Sequence, residues 1–205
     1  CRLWSYETSA QALGDALRLS RGMSYKNAMA DLGMGGGKAV ILGPVLPEKR
    51  EAVLKAFGRA VDSLKGDYIT AEDVGVSVAD MEIVATQTRF VSGLSGGVGK
   101  SGGDPSPYTA RGVRVGIQSA VKARLGRGDL AGLTVAVQGL GHVGMYLCEE
   151  LHALGARLVV ADINADRVHE AQDRFAAEAV SVADILLQPV DVVAPCALGG
   201  TISED

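Results

Sequence analysis

Short apolar runs alternate with amphipathic segments of helical length along this chain, and the alternation is most regular after Leu133. Nearly continuous apolar runs predict strands at 134–138, 157–161 and 190–194. Apolar positions at helical spacing predict helices at 142–154 and 165–176, between those strands. Such alternation is typical of an α/β fold with a doubly wound, parallel sheet.

The first half shows the same two patterns with less regularity, and we expect it to form a partial α/β domain of its own. Thr8 and Gln11 fit a capping box that starts a helix, and Gly22 is its predicted end. Ser24 predicts the start of a second, short helix. Further along, the pattern predicts strands at 39–42 and 67–70 and helices at 47–64 and 78–86.

Gly, Ser, Asp and Pro dominate residues 92–107, which predicts a loop and a domain boundary. The predicted domains are 1–105 and 106–205, with a hinge at 95–105 that would close a cleft between them. Ser106 and Pro107 would start a long helix that ends at Leu125. Cys1 lies inside a predicted strand, and residues 202–205 stop just after a Gly-Gly turn, so we expect the chain to be truncated at both ends.

Composition narrows the class of protein. The 205 residues are 47% hydrophobic and carry a net charge of −4, which argues against a nucleic-acid partner because no basic stripe is present. The three cysteines are widely spaced and form neither a zinc pattern nor a disulfide framework, so we expect no metal site and a reducing compartment. No signal peptide and no apolar run near 18 residues is visible, so we expect a cytoplasmic protein without a membrane partner.

A glycine cluster in the second half predicts a cradle for a dinucleotide. Its residues are Gly139, Leu140, Gly141, His142, Val143 and Gly144, which follow a predicted strand and open a predicted helix. Gly139 would allow the tight turn, Gly141 the approach of the pyrophosphate, and Gly144 close packing of the helix on the sheet. Asp162 ends the next strand, where it would bind the ribose hydroxyls and repel a 2′-phosphate. This Rossmann-type pattern favours NAD over NADP as cofactor; the alternative is a glycine-rich turn with an incidental aspartate.

Two lysines and an aspartate in the first half suggest a site for a zwitterionic substrate. Lys38 follows three glycines, of which Gly36 and Gly37 would let substrate and backbone come close. Lys26 would hold a carboxylate and Asp73 would accept a proton from an amine. A second cation and partial burial would lower the pKa of Lys38 toward the range that a lysine base needs. Taken alone, Lys26 is more typical of a solvated helix lysine, and Asp73 of a loop or cap residue.

The chain resembles the glutamate/leucine/phenylalanine/valine dehydrogenase family over essentially its whole length. The resemblance lies in ordered motifs: Met23-Ser24-Tyr25-Lys26-Asn27-Ala28, Gly35-Gly36-Gly37-Lys38, Ile69-Thr70-Ala71-Glu72-Asp73-Val74-Gly75, Gly103-Asp104-Pro105-Ser106-Pro107, Val137-Gln138-Gly139-Leu140-Gly141 and Ala194-Pro195-Cys196-Ala197-Leu198-Gly199. Within the family, these motifs are most similar to the leucine dehydrogenase branch.

The resemblance implies a role for each motif. Lys38 would be the catalytic lysine that activates water, Lys26 would bind the substrate carboxylate, and Asp73 would shuttle a proton to and from the amine. Thr109 and the turn with Cys196 and Ala197 would flank the cofactor. The implied protein is an NAD-dependent amino-acid dehydrogenase that forms a homo-oligomer at full length and has a leucine-like substrate.

Other readings stay open at this point. Glutamate and phenylalanine are alternative substrates, and a catalytically inert NAD-binding module is an alternative for this length of chain. His142 stands where the family usually has Asn and is more typical of an exposed helix-start residue than of a catalytic one. Lys100 lies in the hinge loop, and the sequence assigns it no function.

Overall fold

A computed structural model describes residues 1–95, 102–199 and 202 of the chain. It divides into two compact units, Cys1–Asp104 and Pro105–Asp205. The assignment of these units as a substrate domain and an NAD-binding domain stays a prediction. Lys100 and most of the expected hinge lie outside the described residues.

The first unit combines two short parallel strands with three helices. Strand β1 (Arg2–Trp4) pairs with β2 (Val40–Leu42), with Arg2 opposite Val40. The helices are α1 (Ser9–Met29), α2 (Pro47–Ser63) and α3 (Val78–Ala85). The buried core contains Cys1, Leu54, Val76, Met81 and Val84. Apolar faces of α2 and α3 therefore meet in this core, and Leu3 and Ile41 from the strands pack against it.

Two expectations for the first unit are wrong. Helix α1 continues through Gly22 to Met29, and it absorbs the second helix that was expected at Ser24. No neighbouring atom crowds Gly22, so nothing forces the chain out of the helix there. Residues 67–70 do not form a strand, because Lys65 and Gly66 turn the chain through positive φ and only Thr70 bridges to Val91.

The second unit is built on a parallel sheet of four strands in the order β5-β4-β3-β6. The strands are β3 (Thr134–Gln138), β4 (Arg157–Ala161), β5 (Glu178–Ala179) and β6 (Val192–Pro195). The helices are α4 (Ser106–Leu125), α5 (His142–Ala153) and α6 (Ala165–Phe175). Helix α4 starts one residue before the predicted position, so Ser106 is its first residue and Pro105 its cap.

Alternate residues of β3 face two different cores. Val135 and Val137 pack with apolar residues of α4, α5 and α6 on one side of the sheet. Ala136 packs with Ile185, which lies in a short 3₁₀ turn on the other side. The alternation follows from the two-residue period of a strand and explains why nearly every residue of β3 is buried. The predicted α/β class with a parallel sheet is confirmed.

Two findings bear on function at the level of the whole fold. Among the described helices, none combines the length and apolar character that crossing a bilayer would require. Within the same residues, no group of three or more His, Cys, Asp or Glu side chains is placed to hold a metal ion. The cytoplasmic location expected from the sequence stays a prediction.

Candidate functional site

The structure brings Lys38 and Asp73 together, although 35 residues separate them in the sequence. The Nζ atom of Lys38 lies 2.6 Å from Oδ2 of Asp73. The side chain of Lys38 is 14% exposed and that of Asp73 22% exposed. Both groups are therefore shielded from most of the solvent, and each keeps a small exposed fraction.

A third charged group, which the sequence did not reveal, completes this cluster. Arg2 in β1 donates from Nε to the same Oδ2 atom of Asp73 at 3.0 Å. Its Nη1 atom donates to Asp15 on α1 at 3.1 Å. We call Lys38, Asp73 and Arg2 the acid–base cluster. Arg2 joins it to α1, so the Asp73 carboxylate lies between two cations rather than one.

The charge of Asp73 follows from these contacts. Burial works to raise the pKa of Asp73, but the hydrogen bonds from Lys38 and from the Val74 backbone and the charges of Lys38 and Arg2 hold that pKa below its ordinary value. Arg2 shows the matching effect, since burial lowers its pKa while Asp73 and Asp15 raise it above its usual value overall. Asp73 is therefore ionised at neutral pH, and its role as a proton acceptor stays a prediction.

Packing of the residues before Lys38 explains two of the three glycines. A Cβ atom on Gly36 would collide with the backbone of α1 at Ser20 and Ser24, and one on Gly37 would lie 2.7 Å from the Tyr68 ring. Gly36 also donates its N–H to Ser24 Oγ at 3.0 Å. Packing alone thus requires glycine at these two positions, and their contact with a substrate stays a prediction.

Tyr68 holds the backbone on both sides of Lys38. Its ring covers Gly37, and its hydroxyl accepts a hydrogen bond from the backbone N–H of Ala39 at 3.1 Å. The backbone that carries the Lys38 side chain is therefore held in place at both neighbouring residues. No local pattern predicts this role of Tyr68, which lies 30 residues further along the chain than Lys38.

The loop that carries Asp73 is held by a second ion pair. Arg50 on α2 binds Asp80 on α3 with both ends of its guanidinium, at 2.8 and 2.7 Å, and donates to the Gly75 carbonyl at 2.7 Å. Asp80 also completes a capping box with Ser77 at the start of α3. The Arg50 hydrogen bond, opposed by burial and assisted by Ser77, lowers the pKa of Asp80 to about 2.

Lys26 lies on α1 between two residues, Ser24 and Asn27, that contact the glycine segment before Lys38. Its neighbour Asn27 donates to the Gly35 carbonyl at 2.7 Å, so this end of α1 adjoins the segment that leads to Lys38. The Lys26 side chain is exposed and makes no hydrogen bond or salt bridge with the residues that the structure describes. The structure thus leaves Lys26 outside the acid–base cluster, with its charge free for a ligand.

The glycine turn, residues 139–144 between β3 and α5, is constrained by its own backbone. Gly139 has φ +92°, and a Cβ there would lie 2.7 Å from the backbone nitrogen of Ala197. A Cβ on Gly144 would collide with the Gly139 carbonyl. These two glycines are therefore required by the fold of the second unit itself.

Gly141 is different, because a Cβ there would meet only Nη1 of Arg167, at an ordinary 3.6 Å. Its φ of −62° is also available to any residue. Packing within the described part of the chain therefore does not explain glycine at this position. The sequence predicts an approaching ligand as the reason, since only glycine leaves the backbone bare, and this contact stays a prediction.

The N-terminus of α5 also suits a phosphate. Among the α-helices that the structure describes, α5 alone begins with neither a side-chain cap nor a proline. Its first backbone N–H groups and the positive end of its dipole therefore have no side-chain acceptor in the described residues. Together with Gly141, this arrangement fits the pyrophosphate of a dinucleotide.

Asp162 ties the end of β4 to the glycine turn. Its Oδ2 accepts the Leu140 N–H at 2.5 Å, and its Oδ1 accepts the Asn164 N–H at 2.8 Å. A carboxylate has about four acceptor positions, so both oxygens can accept a further donor such as a ribose hydroxyl.

The remaining predicted cofactor residues lie in three places. The backbone N–H of Cys196 donates to Gln138 at 2.7 Å, which holds Cys196 and Ala197 against the glycine turn. His142 is the exposed first residue of α5, and Val143, the second, is partly buried. Thr109 lies exposed in the first turn of α4 and donates to the Pro105 carbonyl at 3.0 Å. A cofactor contact by any of them stays a prediction.

Comparison with known proteins identifies the family to which this chain is similar. The model of the Glu/Leu/Phe/Val dehydrogenase dimerisation domain matches residues 1–90, and that of glutamate/leucine/phenylalanine/valine dehydrogenase matches residues 96–171. Leucine dehydrogenase of Bacillus subtilis is 51% identical over 204 residues, which are 100% of this chain and 56% of that protein. This chain thus spans little more than half the length of such relatives.

Solved structures of amino-acid dehydrogenases are also similar to this chain. L-tryptophan dehydrogenase from Nostoc punctiforme has a TM-score of 0.72 at 40% identity, over 99% of this chain and 56% of that one. A hetero-hexameric glutamate dehydrogenase from Thermus thermophilus has a TM-score of 0.77 at 23% identity, over 98% and 54% of the two chains, which shows the fold alone. The chain has the Rossmann-type α/β fold of these enzymes and belongs to the glutamate/leucine/phenylalanine/valine dehydrogenase family.

Proposed function

We propose that the complete protein is an NAD-dependent dehydrogenase of branched-chain L-amino acids. It converts the amino acid, water and NAD⁺ into the 2-oxo acid, ammonium, NADH and a proton. The observation that carries this proposal is the half-buried contact of 2.6 Å between Lys38 and Asp73. Its family membership and the identity of 51% with a leucine dehydrogenase support the same reaction.

The charges in the first unit suit each step at the amine. Lys26 holds the substrate carboxylate, because its exposed ammonium is free of partners in the described residues. Asp73 takes a proton from the substrate ammonium, because its lowered pKa keeps it ionised. Lys38 then activates the water that attacks the imine carbon, and Asp73 returns its proton to the departing ammonia.

The second unit binds the cofactor at the glycine turn. When bound, NAD⁺ supplies the acceptor for the hydride that leaves the substrate Cα. Gly141 and the start of α5 hold the pyrophosphate, and Asp162 accepts hydrogen bonds from the ribose hydroxyls. A 2′-phosphate would bring negative charge to the Asp162 carboxylate, so NAD is preferred over NADP. Thr109 and the turn with Cys196 and Ala197 flank the cofactor.

We also propose that the complete protein is a homo-oligomer. The family model over residues 1–90 describes a dimerisation domain, which supports this proposal. Light scattering after size exclusion of the complete protein tests this: a mass of one chain would contradict it.

Substitution of the cluster tests the reaction. In the complete protein, Lys38→Ala and Asp73→Asn should each lower kcat by about a thousandfold, the usual contribution of a general acid or base. Lys26→Ala should mainly raise KM for the amino acid. Lys55→Ala is the matched control, because its partner among the described residues is Glu51, one turn away on α2. NADH formation at 340 nm is the measurement, with NADH binding as a check on the fold.

The side chain of the substrate is tested with leucine, valine, isoleucine, phenylalanine and glutamate. The highest kcat/KM should be found among the first three. A clear preference for glutamate or phenylalanine would keep the reaction and change the substrate. Unchanged activity of Lys38→Ala, or no NADH from any of the five, would overturn the proposed function, and NADH binding without turnover would favour the inert module.

A further inference from the structure

An arginine that the sequence did not single out lies beside the glycine turn. Arg167, in the first turn of α6, lines an open pocket of about 330 Å³ together with Gly141, His142 and Arg174. Its Nη1 atom lies 3.4 Å from the Leu140 carbonyl. The same atom lies 3.6 Å from the point that a Cβ on Gly141 would occupy. Its guanidinium thus borders the space that the missing side chain leaves.

The charge of Arg167 has no carboxylate partner in the part of the chain that the structure describes. Its contact to the Leu140 carbonyl is long and involves a neutral group, and Arg167 forms no salt bridge with any described residue. Arg174, in the same pocket, contrasts with it: Glu170 at 2.6 Å and Glu149 at 3.4 Å neutralise its charge. Those two carboxylates belong to the pocket, so Arg167 is the cation there that remains available to an anion.

Three features around Arg167 point to the same ligand. Glycine at position 141 has no packing reason within the described residues, α5 begins without a side-chain cap, and a guanidinium that forms no salt bridge with those residues borders both. A phosphate on the bare backbone of Gly141 would accept hydrogen bonds from the backbone N–H groups of α5 and from the guanidinium of Arg167. Arginine suits this task because its planar fork donates two parallel hydrogen bonds to phosphate oxygens.

We propose that Arg167 is a cofactor-binding residue that donates to the pyrophosphate of the dinucleotide on the glycine turn. This inference rests on the proposed function, because it takes the dinucleotide as the ligand. The pyrophosphate is preferred over a 2′-phosphate because Asp162 binds the N–H of Leu140 while Arg167 approaches the carbonyl of the same residue. A 2′-phosphate there would face the Asp162 carboxylate.

Binding of NADH and NADPH to the complete protein, followed by nicotinamide fluorescence, tests the proposal without any turnover. Arg167→Gln should lower the affinity for both NADH and NADPH by about tenfold or more, because one charge-assisted hydrogen bond is lost. Arg174→Gln is the matched control, because it removes the same charge from the same pocket and helix, and it should leave both affinities nearly unchanged. Thermal unfolding of both variants should match that of the unaltered protein.

Smaller probes separate the phosphate groups. In competition with NADH, Arg167→Gln should lower the affinity for ADP, which carries a diphosphate, and should leave the affinity for adenosine unchanged. Arg167→Lys keeps the charge and loses the planar fork of the guanidinium. Its affinity for ADP should lie between those of the unaltered protein and of Arg167→Gln. Loss of NADPH affinity alone would overturn the pyrophosphate assignment in favour of a 2′-phosphate contact, and equal affinities in Arg167→Gln and the unaltered protein would overturn the inference altogether. Failure of the unaltered protein to bind either dinucleotide would instead overturn the cofactor in the proposed function, and this inference with it.

Discussion

The acid–base cluster and the glycine turn are built by opposite means. The cluster uses charged side chains from three distant segments, at residues 2, 38 and 73, and each charge is balanced by another within about 3 Å. The turn consists of six consecutive residues, three of them glycines without a side chain. The groups that it offers to a ligand are the backbone N–H groups at the start of α5. One site therefore depends on long-range pairing, and the other on the local path of the chain.

Glycine has two different meanings in these regions. Gly36, Gly37, Gly139 and Gly144 leave no room for a Cβ, so the protein needs glycine there to fold. Gly141 has room for a Cβ, so packing within the described residues does not require glycine there, and its service to a ligand stays a prediction. A glycine-rich motif thus mixes positions that packing requires with positions that it leaves open, and only the surrounding atoms can separate them.

The largest effect is expected at a glycine of the structural kind. Gly144→Ala places a methyl group against the Gly139 carbonyl, which α5 and the turn can relieve only by moving apart. We expect a loss of about 3 kcal/mol of stability in the second unit, as for overpacking of a buried site. NADH affinity should fall with it. Hydrogen exchange of peptides from α5, with and without NADH, measures both effects.

Gly141→Ala is the partner of this experiment. The new methyl group would touch only the flexible end of Arg167, so stability should change by less than about 0.5 kcal/mol. NADH binding should nevertheless weaken strongly, because the methyl group occupies the approach to the backbone. If both variants lost stability and affinity in the same proportion, the distinction between the two kinds of glycine would be wrong.

A smaller effect is expected from the ion pair that supports the first unit. Asp80 has a pKa of about 2 in the folded protein, against an ordinary value of 3.8. A carboxyl group with a lowered folded-state pKa stabilises fully above its ordinary pKa, and that contribution is lost as the pH falls through the folded value. Asp80→Asn should therefore cost about 1–2 kcal/mol at pH 6 and almost nothing near pH 2.

Hydrogen exchange in α2 and α3 between pH 2 and 6 follows this change, with peptides of α5 as an internal reference. Asp62→Asn is the control, because Asp62 is exposed on α2 and its side chain forms no salt bridge with the described residues. A penalty for Asp80→Asn that stays constant over the pH range would show that packing, and not the charge pair with Arg50, stabilises this region.

The same contrast explains how far the sequence could be interpreted. The glycine turn was located in full, because a strand, three spaced glycines and a helix are local features that follow one another in the chain. Lys38 and Asp73 were found from motifs, and the structure brings them together. The expectation at Gly22 failed because a glycine without neighbours does not have to end a helix that α1 can continue.

Arg2, Tyr68 and Arg167 could not be found in this way. Arg2 lies 71 residues from Asp73 and Tyr68 lies 29 residues from Ala39, so each role exists only after the strands and loops have been assembled. Arg167 resembles any arginine in a helical first turn until its lack of an acidic partner is visible in the fold. Long-range pairing is invisible to a pattern that is read along the chain.

A small effect on stability, with a specific effect on the pH profile, is expected at Arg2. Arg2→Gln should cost only about 1 kcal/mol, because Asp73 keeps Lys38 and Asp15 keeps Tyr6 and Arg18 as partners. The charge of Arg2 helps to hold the pKa of Asp73 below its ordinary value, so removing it should raise that pKa. The acid limb of kcat against pH should then move to higher pH.

Arg18→Gln separates this electrostatic role from a structural one. Arg18 contacts the same Asp15 at 2.6 Å, but it is 72% exposed and no described contact joins it to Asp73. It should leave the pH profile unchanged, while Arg2→Lys should restore most of the shift because it returns a positive charge to β1. Since the glycine turn lies in the other unit, KM for NADH should be the same in all three variants. An Arg2→Gln enzyme with lower activity and an unmoved acid limb would show that Arg2 only supports β1, and that Lys38 alone sets the charge of Asp73.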